Sequence, residues 1–361
     1  AGTSGVISVD SSVGQTNALS KLIVSSSNGA SFSQAVRTTV SVNLNDTVAG
    51  KDIRFEGSVN TPQMITLGSA YNLLLLGNTV VSDANTATVF ANIGSLTLGN
   101  DSTDIFSFVG GLTAKVQTQV HLAGQIQTTN KAIEIGDTAH DAWLDKTVIV
   151  SAGTGNVTFG GKVDGGFDLT VNSAGVTKFS GLVGDSTALV SLTTDANGSV
   201  AINAVVPQGQ GKASVKTTAK QTYNDAVTLL QNTVLQSSGL NANGNITFDK
   251  TIDGAFDLTV NTAGITQFNG LVGDGTALTS VTTDADGSVA FNAVVPQGKA
   301  SVKTSAKQTY NDAVTLLQNT ILQSSGLNAN GNITFDKTID GANDLKINTA
   351  GITQFNGLVG D

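Results

Sequence analysis

GNITFDKTIDGAFDLTVNTAGITQFNG, residues 244–270, carries the pattern that decides the fold. Its first twelve letters, Gly244–Ala255, return unchanged at Gly331–Ala342, and a looser copy, GNVTFGGKVDGG, stands at Gly155–Gly166. A reactive site is normally built once per domain, so verbatim restatement reads as architecture. A shorter echo lies inside the stretch. ITF at Ile246 returns as ITQF at Ile265, 19 residues on, and VTF at Val157 returns as VTKF at Val176 at the same spacing. The next apolar patch, SVAFNAVV at Ser288, follows 23 residues after Ile265. Apolar triplets with a polar centre also mark the first half: IRF at Ile53, ITL at Ile65, LTL at Leu96 and IEI at Ile133, each with glycine close behind. Short strands that turn about every 20 residues are what a coil of a parallel β-helix needs. Each coil exposes strand edges, and the next coil satisfies them.

The long period divides the chain. QTYNDAV recurs 87 residues apart, at Gln221 and Gln308, and GNVTF at Gly155 precedes GNITF at Gly244 by 89. The difference is an insertion, PQGQGKA at Pro207 against PQGKA at Pro296. The segments are residues 1–154, a β-rich N-terminal cap or head; a repeat, 155–243; a second, 244–330; and a partial third, 331–361. The third breaks off after FNGLVGD, and further copies are expected beyond it. The fold class expected is all-β, a right-handed parallel β-helix (solenoid) built from 87–89-residue repeats. The alternative is a string of tandem Ig-like β-sandwiches, whose usual size matches that length. The 19-residue echo favours coils.

Differences between the copies sort the positions. Val157→Ile246, Val163→Ile252, Val176→Ile265 and Ile202→Phe291 stay apolar, as inward positions should. Gly161→Lys250, Lys162→Thr251, Lys178→Gln267 and Ser180→Asn269 drift, as solvent-facing positions can. In DLTVN, Thr259 becomes Lys346 while Val260 becomes Ile347, so Leu258 and Val260 point in and Thr259 points out. Phe256 becomes Asn343, which places it at a turn or a partly exposed edge. The segment from Ala219, AKQTYNDAVTLLQNTVLQSSG, has a helical apolar face in Tyr223, Val227, Leu230 and Val234. Thr222 and Asp225 there resemble a capping box. Its threonines and valines, and the split VTLL-QN-TVLQ, favour strands.

Composition bounds the function. Of 361 residues 39% are hydrophobic and only 5% aromatic, which implies a core of Val, Ile, Leu and Ala rather than rings. Glutamate occurs only at Glu56 and Glu134 and arginine only at Arg37 and Arg54, so good helix formers are scarce. A net charge of -9 gives no basic footprint for nucleic acid. There is no cysteine, hence no disulfide framework and no thiolate metal site. The most apolar run, Ala70–Val81, is too short for a membrane helix. The start, AGTSG, suits a chain already cut after a small-residue processing site.

The stretch GNITFDKTIDGAFDLTVNTAGITQFNGLVGDGTALTSVTTDADG, followed by AKQTYNDAVTLLQNTILQ, resembles the Thr/Asn/Gly-rich repeats of large bacterial surface exoproteins. These are filamentous-haemagglutinin-like adhesins, autotransporter passenger regions and surface-layer proteins. The resemblance covers Gly155 to the end and, more loosely, the first half. It implies secretion, display outside the cell and a β-helical stalk, and it transfers no catalytic or ligand-binding residue. The repeat length departs from the haemagglutinin pattern.

Candidate chemistry is thin. A polysaccharide lyase would need a base and clustered cations, and only Arg37 and Arg54 are available. His121 and His140, the latter in HDAW with Trp143, have no HExxH context and read as ordinary surface histidines. DADG at Asp284, DANG at Asp195 in the other copy, resembles half a calcium loop but reads better as a turn. Sequons at Asn45, Asn156 and Asn245 carry little weight if the source is bacterial, as the resemblance implies. Lys212, Lys216 and Lys220 read as a solvated face, with contact to a neighbouring molecule's aspartates as the second reading. No catalytic, cofactor-binding or metal residue is assigned; calcium alone is kept open, because surface layers of the resembled kind often assemble with it. The expectation is a non-enzymatic extracellular structural protein at a bacterial cell surface, self-assembling or stalk-forming. Its partners would be copies of itself, with no nucleic acid and no membrane span. The alternative is an adhesin that binds a host or carbohydrate ligand through residues 1–154.

Overall fold

The computed structural model describes residues 5–360. The AGTSG start, but for Gly5, and Asp361 lie outside the described residues. The chain divides into two compact units, one ending at Ser180 and one beginning at Gly181. Each is a parallel β-solenoid whose coil takes about 23 residues. Among the described residues there is no α-helix; two four-residue 3-10 turns, Asn241–Gly244 and Asn328–Gly331, are the helical elements.

In the first unit the coils build three parallel ladders, and some longer strands, such as Val36–Leu44 and Val120–Gln127, run through a corner and join two of them. The first ladder stacks Ile7–Val9, Ala30–Phe32, Asp52–Phe55, Asn72–Leu75 and Leu96–Leu98 in register. Val59–Thr61, Thr79–Val81 and Ile105–Phe108 lie in the second. Leu112–Ala114, Ile133–Ile135, Val157–Phe159 and Val176–Phe179 lie in the third. Side chains alternate along a strand, so three-residue elements such as Leu96–Leu98, Ile133–Ile135 and Val157–Phe159 bury their first and last residue and present their centre. The ladders are parallel throughout, which rules out the sandwich alternative, built from antiparallel sheets. The structural repeat is the coil of about 23 residues, not the 87–89-residue sequence copy.

How a sequence copy maps onto coils is clearest in the second unit. One face stacks Tyr223, Phe248, Phe268, Phe291 and Leu316. On the next, strand Ala226–Leu229 leads through Val227 to a stack of Ile252, Val272, Val302 and Leu322. The third stacks Val215, Leu235, Val260, Thr283, Tyr310 and Phe335. Phe248 and Phe335 hold the same place in the repeated phrase, yet one lies on the first face and the other on the third. From Phe248 the chain makes eleven strand steps to Phe335, at three steps per coil. A copy therefore spans three coils and two-thirds, and successive copies shift by one face. Tyr223 and Tyr310, Leu229 and Leu316, and Leu235 and Leu322 shift in the same sense.

The scarce aromatic residues are concentrated, which corrects the expectation of a core without rings. Tyr223, Phe248, Phe268 and Phe291 stack with centroids 5.2, 5.5 and 5.8 Å apart. Where the column changes face, Phe291 meets Tyr310 edge-on at 89°, and stacking resumes through Phe335 and Phe355. Parallel in-register ladders put identical positions directly above one another, so rings separated by whole coils meet.

Other readings resolve individually. The segment from Ala219 forms strands Gln221–Tyr223, Ala226–Leu229 and Thr233–Leu240. Leu258 and Val260 are buried and Thr259 faces out. Phe256 sits half-buried at a turn. Val176 and Ile265, read as inward, are exposed, and Thr177 and Thr266 are buried instead. The phase of ITL at Ile65 is also reversed: Ile65 and Leu67 are exposed and Met64 and Thr66 buried. A lone strand of four residues has too little periodicity for sequence to set its phase.

Candidate functional site

The repeated motifs are where a site would be sought, and their polar side chains bond to adjacent coils. In QTYNDAV, Tyr310 donates its hydroxyl to Gln308 Oε1 at 3.0 Å, and Gln308 Nε2 donates to the Gln323 carbonyl at 2.9 Å. Tyr223 and Gln221 do the same with Gln236. Both tyrosines are buried, which pushes their hydroxyl pKa up. Asn311 Nδ2 donates to the Thr283 carbonyl at 2.6 Å, and Asp312 Oδ1 accepts from the Gly287 N–H at 2.9 Å. Gln308, Tyr310, Asn311 and Asp312 thus all bond inside the wall of the solenoid, while Thr309 faces out.

Asp312 packs beneath the DADG turn. It is buried, its Oδ2 has no hydrogen-bond partner, and neither has the buried Thr283 hydroxyl. Burial pushes the Asp312 carboxyl up to about 6, against the Gly287 N–H, with the nearby Asp284 raising it further. Asp284 is likewise raised by burial, and its Oδ1 accepts from the Thr262 N–H at 3.0 Å. The Lys337 ammonium bonds the Ala285 carbonyl inside the turn. The other copy repeats the arrangement: Asp225 accepts from Gly198 at 2.7 Å and is raised by burial, and Lys250 reaches Ala196 O. In both copies a lysine ammonium bonds a carbonyl of the turn, and one oxygen of each carboxylate accepts from an N–H group. Among the described residues no group of three or more His, Asp or Glu is placed to hold a metal ion.

The other candidates do not converge. Arg37 lies exposed on a strand paired with Val59–Thr61, while Arg54 pairs with Leu74 on another ladder and bonds Glu56 Oε1 at 2.7 Å. His121 Nδ1 lies 3.1 Å from both Asp145 oxygens and His140 Nδ1 lies 2.7 Å from Asp137, two separate pairs. Trp143 stands beside His121 in register. Lys212 bonds Asp185 within the chain at 2.8 Å and Lys299 bonds Asp274 at 2.7 Å, both lysines remaining partly exposed. Two of the sequon asparagines are coil bridges: Asn156 and Asn245 each accept through Oδ1 from the N–H of Val176 and Ile265, both at 2.9 Å. Asn232, Asn319 and Asn332 bridge coils in the same way.

No protein-family model, no curated protein and no solved structure matches the chain.

Proposed function

We propose that this chain is a non-enzymatic extracellular structural protein, a stalk-forming or self-assembling component of a bacterial cell surface such as a surface layer, sheath or filament. The observation that carries the reading is the use of the repeated residues. Gln308, Asn311, Asp312 and Lys337 bond to neighbouring turns of the solenoid, and Tyr310 bonds Gln308 within its own strand; their counterparts 87 residues earlier do the same, so repetition adds length and not sites. The winding we propose is right-handed, the hand that parallel crossovers take. The net charge of -9 would keep such subunits soluble and spaced.

Electron microscopy of the purified chain tests this. Ordered filaments, bundles or sheets without added ligand are expected; dispersed particles under every salt and calcium condition would count against assembly. A second reading, a module whose residues 1–154 bind a host glycan, has the half-exposed Trp143 beside His121 in its favour. It calls for a glycan-array signal that disappears in Trp143→Ala.

A further inference from the structure

The third ladder of the first unit has an interruption. Strand Gln63–Thr66 pairs with the coil before it, and strand Thr88–Phe90 with the coil after it. Between these two, among the described residues, no backbone ladder forms. The corners explain the gap. One residue, Pro62, leads into Gln63–Thr66, whereas six residues, 82–87, lead into Thr88–Phe90 and set it off its neighbour. The Thr66 hydroxyl takes over part of the ladder: it accepts from the Ala91 N–H at 2.6 Å and donates to the Val89 carbonyl at 3.4 Å.

The gap is a slot of about 300 Å³ lined chiefly by Pro62, Met64, Ile65, Val81, Ala87 and Val89, with no charged side chain in its wall. An apolar cavity of about 150 Å³ suffices for a benzene ring, so this slot takes a ligand roughly twice that size. Its rim is also apolar. Ile65, Leu67 and Val89 are 39%, 49% and 51% exposed, where the matching outward positions of the next coils are Thr113, Glu134 and Thr158. Aliphatic residues turned outward around an apolar slot mark a binding surface more than a packing accident.

The ligand's shape and charge follow from the walls. The slot runs along two strands, from Pro62 to Thr66 on one and Thr86 to Ala91 on the other, which suits a linear chain. Beside it Asp83 accepts from Gln63 Nε2 at 2.8 Å and from the Asn85 N–H at 2.9 Å. These bonds, that of Gln63 foremost, hold its carboxyl below the usual range, so it is ionised at neutral pH. We propose that the slot between Gln63–Thr66 and Thr88–Phe90 binds the alkyl chain of a small amphiphile whose head group is uncharged or cationic. An anionic head would face Asp83 in a chain of net charge -9. The inference is independent of the surface-assembly reading.

Calorimetric titration of the whole chain with octyl glucoside, octyltrimethylammonium and octanoate, each well below its micelle threshold, tests it. The first two should saturate one site per chain, and octanoate should bind about tenfold more weakly. Ala87→Trp, at an exposed loop position, should fill the slot and abolish binding with the melting curve unchanged. Val89→Thr, which copies Thr113 of the next coil, should weaken octyl glucoside several-fold. Asp83→Asn should narrow the octanoate gap without weakening octyl glucoside. The proposal is overturned by unsaturable octyl glucoside binding, by binding that survives both slot variants, or by octanoate binding as tightly as octyl glucoside.

Discussion

Asp312 shows how a residue in the repeated motif trades ionisation against burial. Its carboxyl is neutral more readily in the fold, at about 6, than at the ordinary 3.8. The folded state therefore binds more protons between those values. Its contribution is most favourable below about pH 4, declines as pH rises to about 6, and is level and unfavourable above that. Asp312→Asn keeps an acceptor for the Gly287 N–H and removes the charge. Urea melts should show the variant more stable than the parent by on the order of 1 kcal/mol at pH 7.5, with the difference shrinking toward pH 4. A difference that does not vary with pH would refute the assignment. Gly254 belongs to the same scale. Its φ is +129°, and a Cβ there would lie 2.3 Å from the Leu229 carbonyl oxygen. Gly254→Ala should destabilise by roughly 2–3 kcal/mol in the same assay.

At the scale of elements, strands of three or four residues are stable only as members of a ladder, and the aromatic column runs through two of these ladders. Phe268 is stacked on both sides, by Phe248 and Phe291. Phe291 is stacked on one side and met edge-on by Tyr310, and the corresponding residue of the previous copy is Ile202. Phe268→Ala should cost about 3–5 kcal/mol. Phe268→Ile should cost at least twice what Phe291→Ile does. Chemical denaturation of the three variants checks the order; equal losses would mean that the column acts only through buried volume.

For the whole molecule, the sequence copy and the coil are different units, and their mismatch spreads each repeated feature around the solenoid. Since the chain has no cysteine, engineered pairs report the arrangement directly. Thr222 and Thr247 are in-register outward neighbours, and so are Thr309 and Thr334. Adjacent parallel strands suit the Cα separation of a disulfide, about 4.4–6.8 Å. The double variants T222C/T247C and T309C/T334C should each close on mild oxidation. T247C/T334C, the same letter of two copies more than three coils apart, should stay reduced within a chain; ready closure would refute that spacing.

Much of this was legible in the chain. The 19-residue echo and the apolar triplets call for coils, because a period of two places Ile246 and Phe248 inward in any strand. Copy differences located the turn at Phe256 and the outward Thr259. Three things were decided only by tertiary structure. The face that each copy occupies depends on summed corner lengths, which no local pattern records. The stacking of distant rings depends on register between coils. The slot at Ile65 depends on one corner being longer than the corner below it. Its trace in sequence is an inverted strand, QMITL, whose phase became meaningful only once Met64 and Thr66 had a core to face. Local periodicity dictates which side of a strand is apolar; it takes the stacked neighbours to decide what that side meets.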